Sequence, residues 1–286
     1  MKLENRNAVV TGGSHGLGRA IVARFLEEGA NVLFCAREGA PLAQSEGELR
    51  KSARPGQRIL AQTCDVSSPG DVEELFRKAD GELGTLHILV NNAGIYGPKG
   101  PSEEVGWDEW VRCLEINLYG TFLPCRHAIK RFKKSNGGKI INLSGGGATT
   151  PLPNISAYAA SKAAVVRLTE TLAEELRAFR VDVNAVAPGA LNTRFLDEVL
   201  QAGPEKVGPS FYARALKQSE EGGVPLEMGA DLCAYLASTE SDGVTGKLLH
   251  AKWDPWASLH TRKNKLDSSD IYTLRRIVPE DRGQKW

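Results

Sequence analysis

Seven short apolar runs, Ala8–Val10, Val32–Cys35, Ile59–Cys64, Ile88–Val90, Lys139–Leu143, Val181–Ala187 and Lys247–His250, alternate along the chain with stretches of mostly helical periodicity. No other feature narrows the fold as far. Short apolar runs bounded by turn signals read as strands buried on both faces. Strands joined through helices pair in parallel, so the expected architecture is a single α/β, Rossmann-type, doubly wound domain. Its sheet is mostly parallel, with about seven strands and helices on both faces. In GRAIVARFLEEGANVLF the repeating unit is plain: Ile21, Val22, Phe25 and Leu26 share a helical face, Gly29 stops the helix, and the next strand follows.

The rhythm breaks twice. Residues 193–225, rich in glycine and charge, are predicted to form a lid with short helices of its own. From Trp253 onward a polar extension of the 1–252 catalytic domain carries Trp253, Trp256, Tyr272 and Trp286; such aromatics tie an extension to a surface or line a pocket. A formal net charge of +1 leaves no electrostatic footprint for nucleic acid or an anionic membrane. No run of 18 apolar residues spans a bilayer, and no secretory signal precedes the first strand, so a cytoplasmic protein is expected. Five scattered cysteines without a CxxC pair predict reduced core thiols and no metal site.

Val9 to Gly18 read VVTGGSHGLG: a strand, a turn built on Gly12, Gly16 and Gly18 with Ser14, His15 and Leu17 between, then a helix. Glycines there let the backbone approach a pyrophosphate, whose charge the helix N-terminus meets. After the second strand stands Ala36, with no carboxylate for a ribose 2′-hydroxyl, and then Arg37, which suits a 2′-phosphate. NADP is therefore expected over NAD, unless Arg37 is a plain surface residue. His15 is either a phosphate-side helper or an ordinary turn residue. Tyr158 and Lys162, four apart, share a helical face. A phenol must drop by about three pKa units, roughly 4 kcal/mol, to act as acid/base at neutral pH. One ammonium at about 4 Å and an effective dielectric near 20 supplies about that much.

Taken together, TGGSHGLG, CDVSS, NNAG, EINLYG, YAASK and PGALNT, in this order and spacing over residues 5 to about 250, resemble the short-chain dehydrogenase/reductase family of compact enzymes. That resemblance implies an NAD(P)-dependent oxidoreductase of small carbonyl or alcohol substrates. It makes Tyr158 the acid/base, Lys162 its pKa-lowering, ribose-binding partner, and Asn117 the holder of a relay water. Asp65 and Val66 would flank the adenine, Asn91, Ala93 and Gly94 would support the cofactor, and Pro188, Gly189 and Thr193 would cradle the nicotinamide. Read from the residues alone, Asn91 is equally a turn former, Asn117 a partner for buried backbone, and Pro188-Gly189 a strand-ending turn. The resemblance also implies a homotetramer or dimer, with the helix from Tyr158 to Arg177 at one interface.

The sequence departs from the family at the residue expected to bind the substrate carbonyl, 13 before the tyrosine. Gly145 stands there, and Ser144 is one position early. Successive strand residues face opposite ways, so Ser144 is expected to point away unless the run Gly145–Gly147 forms a bulge, or Thr149 substitutes. Losing one such donor costs about 10²–10³ in rate, a loss a substrate bearing its own polar groups would soften. The lid's Arg194, Lys206, Tyr212, Arg214 and Lys217 favour a polar or anionic substrate such as a sugar-like carbonyl compound. Two other readings stay open: an NAD(P)-binding regulatory protein with reduced catalysis, and an epimerase or dehydratase using the cofactor transiently.

Overall fold

A computed structural model describes residues 1–286. Its seven strands are β1 (Asn7–Thr11), β2 (Asn31–Ala36), β3 (Ile59–Thr63), β4 (Ile88–Asn91), β5 (Gly138–Leu143), β6 (Val181–Ala187) and β7 (Leu248–His250). They form one sheet in the order β3-β2-β1-β4-β5-β6-β7, and every neighbouring pair is parallel. The helices are α1 (Gly16–Glu27), α2 (Gly39–Arg50), α3 (Pro69–Leu83), α4 (Trp107–Leu114), α5 (Gly120–Ser135), α6 (Ser156–Leu176), α7 (Arg194–Val207), α8 (Pro209–Glu221), α9 (Leu226–Ala237) and α10 (Lys263–Asp267). The seven sequence-predicted strands all form, within one or two residues of the expected ends.

Alternation along each strand divides the core in two. Ala8 and Val10 of β1 pack with Phe25 of α1, Leu42 of α2 and Leu232 of α9, whereas Val9 packs with Phe76 of α3, Phe132 of α5 and Leu172 of α6. Apolar side chains on both faces keep the central strands out of water, which is why they read as unbroken apolar runs. Chain order reverses between β1 and β4, and the loops leaving those two strands open a crevice at the sheet's C-terminal edge.

The tail closes one side of the sheet. The Leu248 amide of edge strand β7 donates to the Tyr272 carbonyl at 2.8 Å. Lys247 Nζ donates to the carbonyls of Leu266 and Ser269 at 2.9 and 3.1 Å. Leu259 and Leu266 are buried, and Trp256 Nε1 donates to the Ala251 carbonyl at 2.9 Å. Of the four tail aromatics, Trp256 and Tyr272 thus bind the tail to the domain; Trp253 and Trp286 are exposed. No helix is long and apolar enough to cross a membrane.

Candidate active site

The turn between β1 and α1 leaves no room for side chains. Gly12 (φ +67°) and Gly16 (φ +50°) take the left-handed conformation that glycine allows at no cost. A Cβ on Gly18 would overlap the Gly12 carbonyl oxygen, so α1 packs directly on the turn. The Ser14 hydroxyl is paired with His15 Nδ1 at 2.8 Å, and His15, at the head of α1, gives the helix no side-chain cap. The first amides of α1 are therefore free for an anion, helped by the helix dipole. Thr11 Oγ1 accepts from the amides of Asn92 and Ala93, at 3.0 and 3.1 Å, while Asn92 Nδ2 donates to the Thr11 and Gly12 carbonyls, both at 3.0 Å. Asn92, absent from the expected site, laces the β4 loop to the turn. Leu17 and Pro188 both lie against Gly229 of α9, and Thr193 Cγ2 is 3.3 Å from where a Gly16 Cβ would stand. Arg37 is exposed beyond the tip of β2 and makes no ion pair. A side-chain-free turn, an uncapped helix and a nearby free guanidinium fit a nicotinamide dinucleotide.

Other expected residues are engaged within the protein. The Asp65 carboxylate accepts from the Ser67 amide and hydroxyl, at 2.9 and 2.6 Å, and from Arg112 of α4. Burial raises its pKa, but Ser67 and Arg112 outweigh that and leave it below the ordinary value. Val66 is buried against Gly120, and Asn91 Nδ2 donates to Asn142 Oδ1 at 2.9 Å inside the sheet. Gly189 (φ +94°) ends β6 in a turn whose inner side meets Val224 and His250.

Tyr158, Lys162, Asn117 and Gly145 meet at the mouth of the crevice. Between α4 and α5 the helix widens into one π-turn, Glu115–Tyr119, which holds Asn117 wholly inside the protein. Its Oδ1 accepts from the Ile95 amide at 2.9 Å, and its Nδ2 donates to the Ile95 carbonyl at 2.9 Å and Ser161 Oγ at 3.0 Å. Both amide protons are thereby used. Its main-chain carbonyl accepts from Thr121 Oγ1 at 2.7 Å. Lys162 Nζ donates to the Leu143 carbonyl at 2.8 Å and stands 5.7 Å from the Tyr158 ring centre. Gly94 is pressed against Asn117 and Lys162 so closely that a Cβ there would be 3.2 Å from Asn117 Oδ1. Burial dominates both titrations: it pushes the Tyr158 phenol well above its usual value and lowers Lys162 to about 8.

Gly145 has its own consequence. A Cβ at this position would overlap the Tyr158 hydroxyl, which occupies the space that a larger residue would need. Ser144 continues the β5–β6 ladder, its amide donating to the Val186 carbonyl at 2.8 Å. It lies two residues past Asn142, whose Nδ2 reaches Thr169 of α6, and so faces the same side. Its hydroxyl is buried and has no hydrogen-bond partner in the protein. The glycines form a turn, with Ala148 N on Gly145 O at 3.3 Å, and not a bulge.

Aromatic side chains that the sequence did not single out cover the tyrosine. Tyr96 meets Tyr158 edge-on at 4.7 Å between ring centres, and Phe195 of α7 lies 4.6 Å from Tyr96 and 6.3 Å from Tyr158. Burial and Glu198 push the Tyr96 phenol up to about 12. Beside them Lys99 Nζ pairs with Glu198 of α7 at 2.9 Å. By contrast Arg194, Lys206, Arg214 and Lys217 are exposed, and Tyr212 is half-buried. The lid turns its apolar residues Leu196, Val199, Val207 and Ala215 inward, so those four cations face water and do not line the pocket.

This geometry is that of a dinucleotide-binding, doubly wound oxidoreductase fold with a buried tyrosine–lysine pair. The family model described as short chain dehydrogenase matches residues 6–203. A short-chain type dehydrogenase/reductase of Picea abies is 36% identical over 252 residues, covering 86% of this chain and 91% of that one. The 3beta-hydroxysteroid dehydrogenase 1 of Eggerthella lenta is 38% identical over 253 residues, covering 86% and 92%. Among solved structures, levodione reductase superposes with a TM-score of 0.80 at 28% identity, covering 91% of this chain and 99% of that one. NAD+-bound xylitol dehydrogenase gives 0.79 at 27% identity, covering 87% and 98%. The chain therefore belongs to the short-chain dehydrogenase/reductase family, and with it to the NAD(P)-dependent oxidoreductases.

Proposed function

We propose that this protein is an NADP(H)-preferring enzyme that interconverts a secondary alcohol and a ketone, with Tyr158 as the acid/base. The observation that carries the reading is the convergence of Tyr158, Lys162 and Asn117 in one buried cluster around Gly94 and Gly145, near the side-chain-free turn. Bound there, the nicotinamide would supply or accept the hydride. The chain's own part is the proton. Raised by burial, the phenol is neutral at physiological pH, so it is set to donate to a carbonyl oxygen as that oxygen gains charge. In the opposite direction the phenolate needs the Lys162 ammonium, which the Leu143 carbonyl aims toward the ring. Asn117 holds the Ile95 backbone beneath the pocket, and its main-chain oxygen is the site for a water that refills the proton. Free Arg37 and the missing acid at Ala36 support NADP over NAD. With all five cysteines free and buried, a reducing, cytoplasmic setting is proposed.

The test is NADPH oxidation against a panel of polar and apolar ketones, in wild type and Tyr158→Phe. Loss of turnover by about 10³ or more in the variant, with NADPH affinity kept, is expected. Turnover equal in both proteins refutes the role of Tyr158. Gly145 favours one competing reading, an NAD(P)-binding protein with reduced catalysis; tight NADPH binding without turnover of any ketone would establish it. A homodimer or tetramer is also proposed, supported by the exposed Trp107, Tyr119 and Phe122 on and between α4 and α5. Sedimentation at micromolar concentration decides it, a monomer refuting the assembly.

A further inference from the structure

Tyr158 is 6% exposed, because Tyr96 and Phe195 lie over it. Phe195 belongs to the first turn of α7, so a substrate that reaches the phenol has to displace that turn. Glu198 follows three residues later on the same helical face. Its carboxylate holds Lys99 Nζ at 2.9 Å. The Lys99 side chain is only 13% exposed; its other contacts are the Gly97 carbonyl at 3.3 Å and the Tyr96 ring, whose centre is 5.7 Å away. Moving Phe195 therefore draws Glu198 off Lys99 and strands an ammonium that is mostly out of water. A stranded charge of this kind is costly, and a neutral substrate does nothing to relieve it.

We propose that the substrate carries a carboxylate, which takes over Lys99 from Glu198 as α7 moves aside. The enzyme would then act on a hydroxy or keto acid. This rests on the reading of Tyr158 as the acid/base of an alcohol–ketone interconversion. One lysine matched by one carboxylate suits a single negative charge. Lys99 Nζ and the Tyr158 ring centre are no more than about 10 Å apart by way of Tyr96. That is a separation a short keto acid can span, with its carboxylate at Lys99 and its carbonyl at the Tyr158 phenol. The chemistry explains why Lys99 is mostly out of water, with the partly exposed Glu198 held against it, while Arg194, Lys206, Arg214 and Lys217 of the lid face water unpaired with the site. The lid exchanges one carboxylate for another and leaves no buried charge unpaired at either stage.

The probes are 5-oxohexanoate and its uncharged amide, 5-oxohexanamide, with NADPH, in wild type, Lys99→Met, Lys99→Arg and Glu198→Gln. Wild type is expected to favour the acid by about 30-fold or more in kcat/KM, chiefly through KM. Lys99→Met should bring that ratio near one, Lys99→Arg should keep most of it, and Glu198→Gln should lower KM for the acid. A ratio that Lys99→Met leaves unchanged, or a wild type that favours the amide, overturns the proposal. Calorimetric titration of the acid into the NADPH-saturated protein gives a readout independent of turnover. Lys99-dependent binding without turnover of any ketone keeps the carboxylate site and rejects the reductase reading. Binding that Lys99→Met does not weaken, or no binding at millimolar concentration, rejects the carboxylate site itself.

Discussion

Replacing Lys162 with methionine should make the cofactor-free protein more stable at neutral pH while disabling its site. The ammonium is buried, and burial lowers its pKa from the ordinary 10.5 to about 8. At about 1.4 kcal/mol per unit, the folded protein carries roughly 3 kcal/mol of desolvation cost below pH 8. Methionine, similar in length, removes that cost and loses the hydrogen bond to the Leu143 carbonyl, worth about 1 kcal/mol. A net gain of about 2 kcal/mol at pH 7 is expected. Between pH 8 and 10.5 the unfolded chain binds the Lys162 proton more than the folded one, so wild-type stability rises with pH relative to the variant. The advantage of Lys162→Met should therefore vanish, and reverse by about 1 kcal/mol, near pH 10.5. Urea unfolding of both apoproteins at several pH values measures this, because other titrating groups cancel in the difference. A difference that stays constant with pH, or a variant already weaker at pH 7, refutes the reasoning.

Gly145→Ala places a methyl on the Tyr158 hydroxyl and should cost about 1–3 kcal/mol in urea unfolding, as overpacking does; an unchanged midpoint would show that the tyrosine moves freely. Asn117→Ala leaves the Ile95 amide and carbonyl unpartnered inside the protein, an expected loss of about 2–3 kcal/mol, which Asn117→Asp should only partly restore. Arg37→Ala is expected to weaken NADPH by about tenfold and leave NADH within about twofold, and equal losses in fluorescence titrations would take Arg37 out of the site.

What the sequence made legible was whatever is local or periodic. Buried strands appear as apolar runs, the side-chain-free turn appears as spaced glycines, and Tyr158 and Lys162 announce themselves by sharing one helical face. By alternation Ser144 shares a side with Asn142, which reaches Thr169 of α6. The cover over the tyrosine was not legible, because Tyr96 and Lys99 come from an irregular loop and Phe195 and Glu198 from a helix whose partner lies about a hundred residues away in sequence. Lid charge was misleading for a related reason. In a short amphipathic helix most charged residues face water, and only tertiary contact shows that Glu198, itself partly exposed, holds Lys99. The π-turn around Asn117 leaves no trace in composition, since one inserted residue alters hydrogen bonding without altering the apolar pattern.

The strap that the tail lays along β7 bears on how the polypeptide can be cut or extended. Ala251 ends the catalytic fold in sequence but not in space, for Leu248 gives its outward amide to Tyr272 and Lys247 is anchored by Leu266 and Ser269. A gene shortened after Lys252 would yield a protein with an open strand edge and a buried lysine robbed of its acceptors. Expression of that fragment should give aggregates. The far end tolerates more. Trp286 is 95% exposed, so an affinity tag or fluorescent fusion belongs after it.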